Sequence, residues 1–258
     1  MAGFALMVGL GAIACAEPPP ISTDLAGEPI TLTISAAASV QDALQEVQVA
    51  YQDVAPNVTV TYNFGSSGSL AQQIVQGAPS DVFLSASGEW MDELAAQGDL
   101  VDGSRRDLLT NAMVLIVAQD ETTVADFPDL QRADVGRVAI GEPDSVPAGS
   151  YAKAVLTTLN LFDALQPKLV FAKDVRQVLA YVETGNVDAG LVYATDAKLS
   201  DRVQIVATAP ADSHPPIVYP VAVVQDSQHG AAAQAFVDFL SSDTAVAIFK
   251  EYGFVMAE

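Results

Sequence analysis

Four places in this sequence set a small or hydroxyl-bearing residue where a strand pattern gives way to a helical one. Ser39 follows the apolar run from Ile30 to Ala37, and Ser66, Ser67 and Ser69 follow Phe64. Ala148 and Gly149 follow Pro147, and Val175 follows Asp174. The first turn of a helix leaves backbone N–H groups unpaired and carries partial positive charge, so each such start is a potential half-cup for an anion. In open α/β sheets these turns gather at the carboxyl ends of the strands, where ligands bind. Tyr193, closing the run Gly190-Leu191-Val192-Tyr193, points a phenol into the same crevice. One serine at a helix start is ordinary capping, and any α/β protein has capped helices.

The elements that must position these residues alternate along the chain, as in parallel βαβ units. Ile30 to Ala37 reads as a strand, and Val40, Ala43, Leu44, Val47, Ala50, Tyr51 and Val54 place one apolar stripe on a helix. Ser39 and Asp42 complete an S-x-x-D capping pattern at its start. Strands are expected at 58–64, 81–84, 112–118, 137–141, 169–172, 189–193, 203–207 and 217–224. Helices are expected at 70–76, 89–96, 151–159, 175–183, 232–240 and 244–252. Asp144 and Asp174 read as helix caps, Trp90 as a packing residue, and His214 and His229 as surface histidines. The pattern gives two lobes, 29–110 with 222–258 and, inserted between them, 111–221.

Composition narrows the function. With 11 basic and 32 acidic side chains the net charge is −21, which repels nucleic acid and anionic membrane surfaces. Half the residues are apolar and 17% charged, so the chain can fold around real cores. One cysteine allows no internal disulfide, and two histidines furnish no His-rich metal site. Residues 1–16 carry no charge and read as an export signal too short to span a bilayer, with 17–28 a Pro-rich tether. Cys15, directly after Ala12-Ile13-Ala14, resembles the lipidated cysteine of a bacterial lipobox; cleavage after Ala14-Cys15-Ala16 is the alternative. Catalysis finds little support. The loop Gly65-Ser66-Ser67-Gly68-Ser69 lacks the last glycine of G-x-S-x-G and has no local Ser-x-x-Lys, and no P-loop, H-E-x-x-H or C-x-x-C motif occurs.

A set of blocks in order carries a resemblance. Ala36-Ala37-Ala38-Ser39, Phe64-Gly65-Ser66-Ser67-Gly68-Ser69-Leu70, and Gly77-Ala78-Pro79-Ser80-Asp81-Val82-Phe83-Leu84 come first. Gly141-Glu142-Pro143, Val146-Pro147-Ala148-Gly149-Ser150-Tyr151, Asp174-Val175-Arg176, Gly190-Leu191-Val192-Tyr193, Tyr219-Pro220-Val221 and Phe249-Lys250-Glu251-Tyr252-Gly253-Phe254 follow. From about residue 30 to 258 the chain resembles the molybdate-binding proteins of ABC importers. The resemblance implies a two-lobed α/β periplasmic-binding-protein fold of type II, each lobe a mixed sheet flanked by helices, closing over a tetrahedral oxyanion in the cleft. It implies that Ser39 and Ser67 donate from hydroxyl and N–H, Ala148 and Val175 from backbone N–H, and Tyr193 from its phenol. The serine loop departs from the family's usual run of three serines, which bears on which serine donates. The implied protein is a periplasmic or cell-surface monomer that captures molybdate, with its molybdenum, or tungstate, uses no cofactor and delivers to an ABC permease. Sulfate or another small anion on the same fold is the alternative.

The residue types suit that chemistry in their own right. A hydrogen bond to a charged acceptor contributes roughly 1.5 to 3 kcal/mol. About six or seven of them, less ordering and closure costs, leave roughly 8 to 12 kcal/mol, or micromolar to nanomolar binding. A site made only of donors also favours fully deprotonated oxyanions over hydrogen phosphate, whose O–H would meet no acceptor. Arg176 and Lys153 are the nearby cations, expected to face solvent or a carboxylate.

Overall fold

The structure, a computed structural model, describes residues 28–257. The expected signal segment, Cys15 and almost all of the tether lie outside the described residues.

Two mixed sheets form. The first contains β1 (Ile30–Ala37), β2 (Val58–Gly65), β3 (Val82–Leu84), β4 (Arg106–Thr110), β10 (Val218–Val223) and β11 (Val255–Met256), in the order β11-β4-β10-β3-β1-β2. The second contains β5 (Met113–Ala118), β6 (Val138–Gly141), β7 (Leu169–Ala172), β8 (Ala189–Tyr193) and β9 (Val203–Thr208), in the order β7-β6-β8-β5-β9. In the first, β1 runs parallel to β2 and β3 while β10 is antiparallel to β3 and β4. In the second, β6 is parallel to β7 and β8, and β5 antiparallel to β8 and β9. Burial follows from position: the second half of central β1 is buried throughout, whereas edge strand β2 begins with buried and exposed residues alternating.

The helices are α1 (Gln41–Val54), α2 (Ser67–Val75), α3 (Gly88–Gln97), α4 (Pro147–Thr158), α5 (Phe162–Leu165), α6 (Val175–Glu183), α7 (Ala194–Lys198), α8 (Gly230–Phe239) and α9 (Asp243–Glu251). On α6, Val175, Val178, Leu179 and Val182 are the buried residues, an i, i+3, i+4, i+7 stripe. Tyr51 of α1 meets Phe236 and Phe239 at ring-centroid distances of 5.1 and 5.0 Å, which ties the late helix α8 back onto the first lobe.

The chain crosses between the sheets twice, from β4 to β5 and from β9 to β10. The crossings touch where Asn111 N–H donates to Ile217 O at 3.3 Å. Because all of β10 pairs with β3 and β4, residues 218–221 belong to the first lobe. The expected inner boundary at residue 221 is therefore a few residues late, for the strand that begins at Val218 already belongs to the first sheet.

Two expected caps are not caps. At Ser39 the chain makes a short 3-10 turn, Ala38–Val40, before α1, and no side chain caps either start. The Ser39 hydroxyl is taken instead by the Tyr219 phenol, and Asp42 by Arg176, so tertiary partners outcompete the local pattern. Asp144 caps nothing, since α4 begins from Val146 without a side-chain cap. Asp174 does cap α6, its carboxylate accepting Gln177 N–H at 2.8 Å.

Candidate functional site

Ser39, Ser67, Ala148, Val175 and Tyr193 line one small cavity between the lobes. All five are buried. The cavity lies beyond the carboxyl ends of β1 and β2 on one side and of β6, β7 and β8 on the other, so helix starts from both lobes face each other across it. Among the described residues no Lys or Arg side chain lines it and Asp174 is its one carboxylate, which is occupied with its own helix cap.

Each donor is set up locally. Ser66 is the cap of α2, accepting Ser69 N–H at 3.3 Å and donating its own proton to Ser69 Oγ at 2.8 Å. That leaves Ser67 as the first helical residue, fully buried, its Oγ accepting Ala86 N–H at 2.9 Å. A backbone N–H can only donate, so the Ser67 proton stays free for the cavity. Ala148 and Val175 sit in the first turns of α4 and α6, where N–H groups have no intrahelical acceptor. The start of α4 rests on β6 so closely that a Cβ on Gly149 would collide with the Gly141 carbonyl, which is why both positions are glycine. The Tyr193 hydroxyl is buried without a hydrogen-bond partner. Burial pushes its pKa well above the ordinary phenol value, so it remains a proton donor.

The lobes also touch directly. Gly68 N–H donates to Ser145 O at 3.0 Å across the cleft, and a Cβ at Gly68 would lie 2.6 Å from that oxygen and from the Trp90 ring. Trp90 is thus a packing residue. Arg176, at the start of α6, does face carboxylates: Asp42 of the first lobe at 2.6 Å and Asp196 of its own lobe at 2.7 Å. It also donates to the Ser39 carbonyl at 3.3 Å. Burial pushes the Asp196 carboxyl up to about 7 against the pull of Arg176. Lys153 lies over the Phe162 ring at 5.6 Å and does not line the cavity. His229 is exposed, whereas His214 is half-buried against Tyr151, 63 residues away along the chain and so beyond any local pattern.

Sequence reasoning assigned no role to Asn111 or Tyr219. Asn111 lies in the crossing from β4 to β5 and Tyr219 in β10, and Tyr219 carried a signal only as part of the block Tyr219-Pro220-Val221.

Comparison with known proteins places the chain in a family. Residues 32–255 match the family model of the bacterial extracellular solute-binding proteins. The chain belongs to that family. Among its solute-binding relatives, a Bacillus subtilis protein whose name proposes it as an ABC-transporter substrate-binding lipoprotein is 48% identical, covering 87% of this chain and 86% of its own. The molybdate-binding protein ModA of Haemophilus influenzae is 40% identical, with 86% and 89% covered. The solved periplasmic molybdate-binding protein of Azotobacter vinelandii superposes with a TM-score of 0.79 at 27% identity, covering 88% of this chain and all of that one. As a solute-binding protein this chain has the two-lobed α/β fold that its two sheets display. Among the described residues no helix is long and apolar enough to cross a membrane.

Proposed function

We propose that this protein captures molybdate, and tungstate, outside the cytoplasm and delivers it to an ABC permease. Ser39 and Ser67 donate to the oxyanion from the first lobe, and Ala148, Val175 and Tyr193 donate from the second. The observation that carries the reading is the convergence of five neutral donor positions from both lobes on one buried cavity without a lysine or arginine lining it. The names of relatives at 40% identity support the ligand. Because the anion bridges the lobes, it binds the closed arrangement better than an open one, and that difference drives closure. The protein acts as a monomer, binds without covalent chemistry and uses no cofactor. Lipid at Cys15 holds it to the cell surface, a reading supported by the lipobox-like sequence and by the name of the Bacillus subtilis relative.

Isothermal titration of the purified chain with molybdate, tungstate, sulfate and phosphate tests the assignment. The expected result is tight one-to-one binding of the first two and far weaker binding of the others. Preference for sulfate, or no binding of any of the four, would overturn the ligand while leaving the fold.

A further inference from the structure

We propose that Tyr219, held by Asn111, is a specificity-determining residue of this site: it fixes the direction of the Ser39 hydroxyl proton, so that Ser39 meets the bound oxyanion only as a donor. The inference rests on the reading of Ser39 as an anion ligand and deepens it.

Four hydrogen bonds determine the wiring. The Asn111 side-chain oxygen accepts Ala112 N–H at 2.9 Å, and an N–H cannot bond to the amide nitrogen, so the orientation of the amide is fixed. Its NH2 group then faces the other way. It donates to Thr195 Oγ1 at 2.8 Å and to the Tyr219 hydroxyl at 3.2 Å. Tyr219 is fully buried, and its remaining hydrogen-bond partner is Ser39 Oγ at 3.0 Å. Asn111 can only donate there, so the phenol proton has Ser39 Oγ as its acceptor. An unmade hydrogen bond from a buried hydroxyl is costly, which favours that arrangement over the reverse. Ser39 Oγ thereby receives a proton from Tyr219, and its own proton is left for the cavity.

Ser67 is wired to the same end by different means, its Oγ accepting Ala86 N–H. Both serines thus have one acceptor position occupied by a fixed donor from behind. An oxyanion without protons is satisfied by such a site. One that carries an O–H must place that proton against another proton or leave it unpaired, and the discrimination can be large because a buried polar group is then left without a partner. Tyr219 reads protonation, whereas cavity size reads the radius of the anion. Sulfate and hydrogen phosphate are close in size and differ in the proton, so their ratio isolates the effect.

Tyr219→Phe removes the phenol proton, frees Ser39 to rotate and lets it present a lone pair. Sulfate and phosphate affinities would be measured by competition against molybdate in wild type, Tyr219→Phe, Ser39→Ala and the double variant. The expected result is a loss of about fivefold in molybdate affinity for Tyr219→Phe, about the worth of one neutral hydrogen bond. The sulfate-to-phosphate ratio is expected to narrow about tenfold, and the substitution to have no further effect on that ratio in the Ser39→Ala background. An unchanged ratio, or an equal loss for all anions that persists without the Ser39 hydroxyl, would show Tyr219 to be structural and overturn the proposal. If Ser39→Ala itself leaves molybdate binding intact, the assignment of Ser39 as a ligand falls and the proposal with it. Should Tyr219→Phe fail to fold, Asn111→Ala, which releases the Tyr219 hydroxyl to accept from Ser39, is expected to narrow the ratio in the same direction; no change there also overturns the proposal.

Discussion

The Ser67 hydroxyl accepts the N–H of Ala86, and the Tyr193 hydroxyl is buried beside the Tyr219 phenol without a formed hydrogen bond among the described residues. Both side chains hold a proton that nothing in the protein takes, and the same cavity receives both. Removing such a donor leaves one oxygen of a desolvated anion unpaired, at a cost of roughly 1.5 to 3 kcal/mol. Ser67→Ala is therefore expected to weaken molybdate binding about 10- to 100-fold by calorimetric titration. Tyr193→Phe, which keeps the ring and its packing, is expected to cost a similar amount. Unchanged affinity in both would place the anion elsewhere. The helix starts that hold these positions were legible in the sequence because a strand end and the turn after it are local information, while the choice of five donors among them came from the family resemblance. Their partners were not: Ala86 lies 19 residues from Ser67, and Tyr219 lies 180 residues from Ser39, so no local pattern connects them.

At the scale of elements, strands and helices with a clean period read correctly, and those without one did not. Leu169–Ala172, Val175–Glu183 and Ala189–Tyr193 have the bounds their patterns give. Strand β4 begins with Arg106 and Asp107 and has only Leu108 and Leu109 buried, and β11 is two residues long, so neither carries an alternation to detect. The short helices α5 and α7 span barely a turn and are held by their neighbours rather than by propensity. The start of α6 offers a test of a backbone donor that no side-chain truncation can reach. Val175 is the first helical residue, where proline is well tolerated, and Asp174 before it is already extended, at φ −160° and ψ 170°. Val175→Pro should keep the helix, remove one N–H from the cavity and lower molybdate affinity at least tenfold. The loss would be read by titration alongside a circular dichroism spectrum to confirm helix content. Full affinity in a folded variant would show that this N–H is not a ligand.

For the molecule as a whole, closure sets two acids and one arginine together across the cleft. Asp196 is fully buried, and burial raises its pKa from 3.8 to about 7. A folded acid with a raised pKa binds more protons than the unfolded chain does. Its contribution to stability is therefore fully present below about pH 4 and is lost as the pH rises towards 7. Urea midpoints of wild type and Asp196→Asn between pH 4 and pH 8 check this. Wild type should lose stability relative to the variant up to about pH 7 and not beyond, and a difference independent of pH would show that Asp196 titrates normally. The α/β alternation, the strand-to-helix starts and the family resemblance were legible along the chain, because each depends on residues that are neighbours in sequence. The net charge of −21 also argues against nucleic acid as a partner, because charge is a matter of composition. Only the tertiary structure decided that Ser39 is not a cap, that Arg176 bridges Asp42 and Asp196, and that β10 lies wholly in the first sheet. Those outcomes depend on which polar groups are buried together. Burial raises the cost of an unpaired donor or charge well above the few tenths to two kcal/mol that a local cap supplies, so long-range partners prevail over local patterns at the cleft.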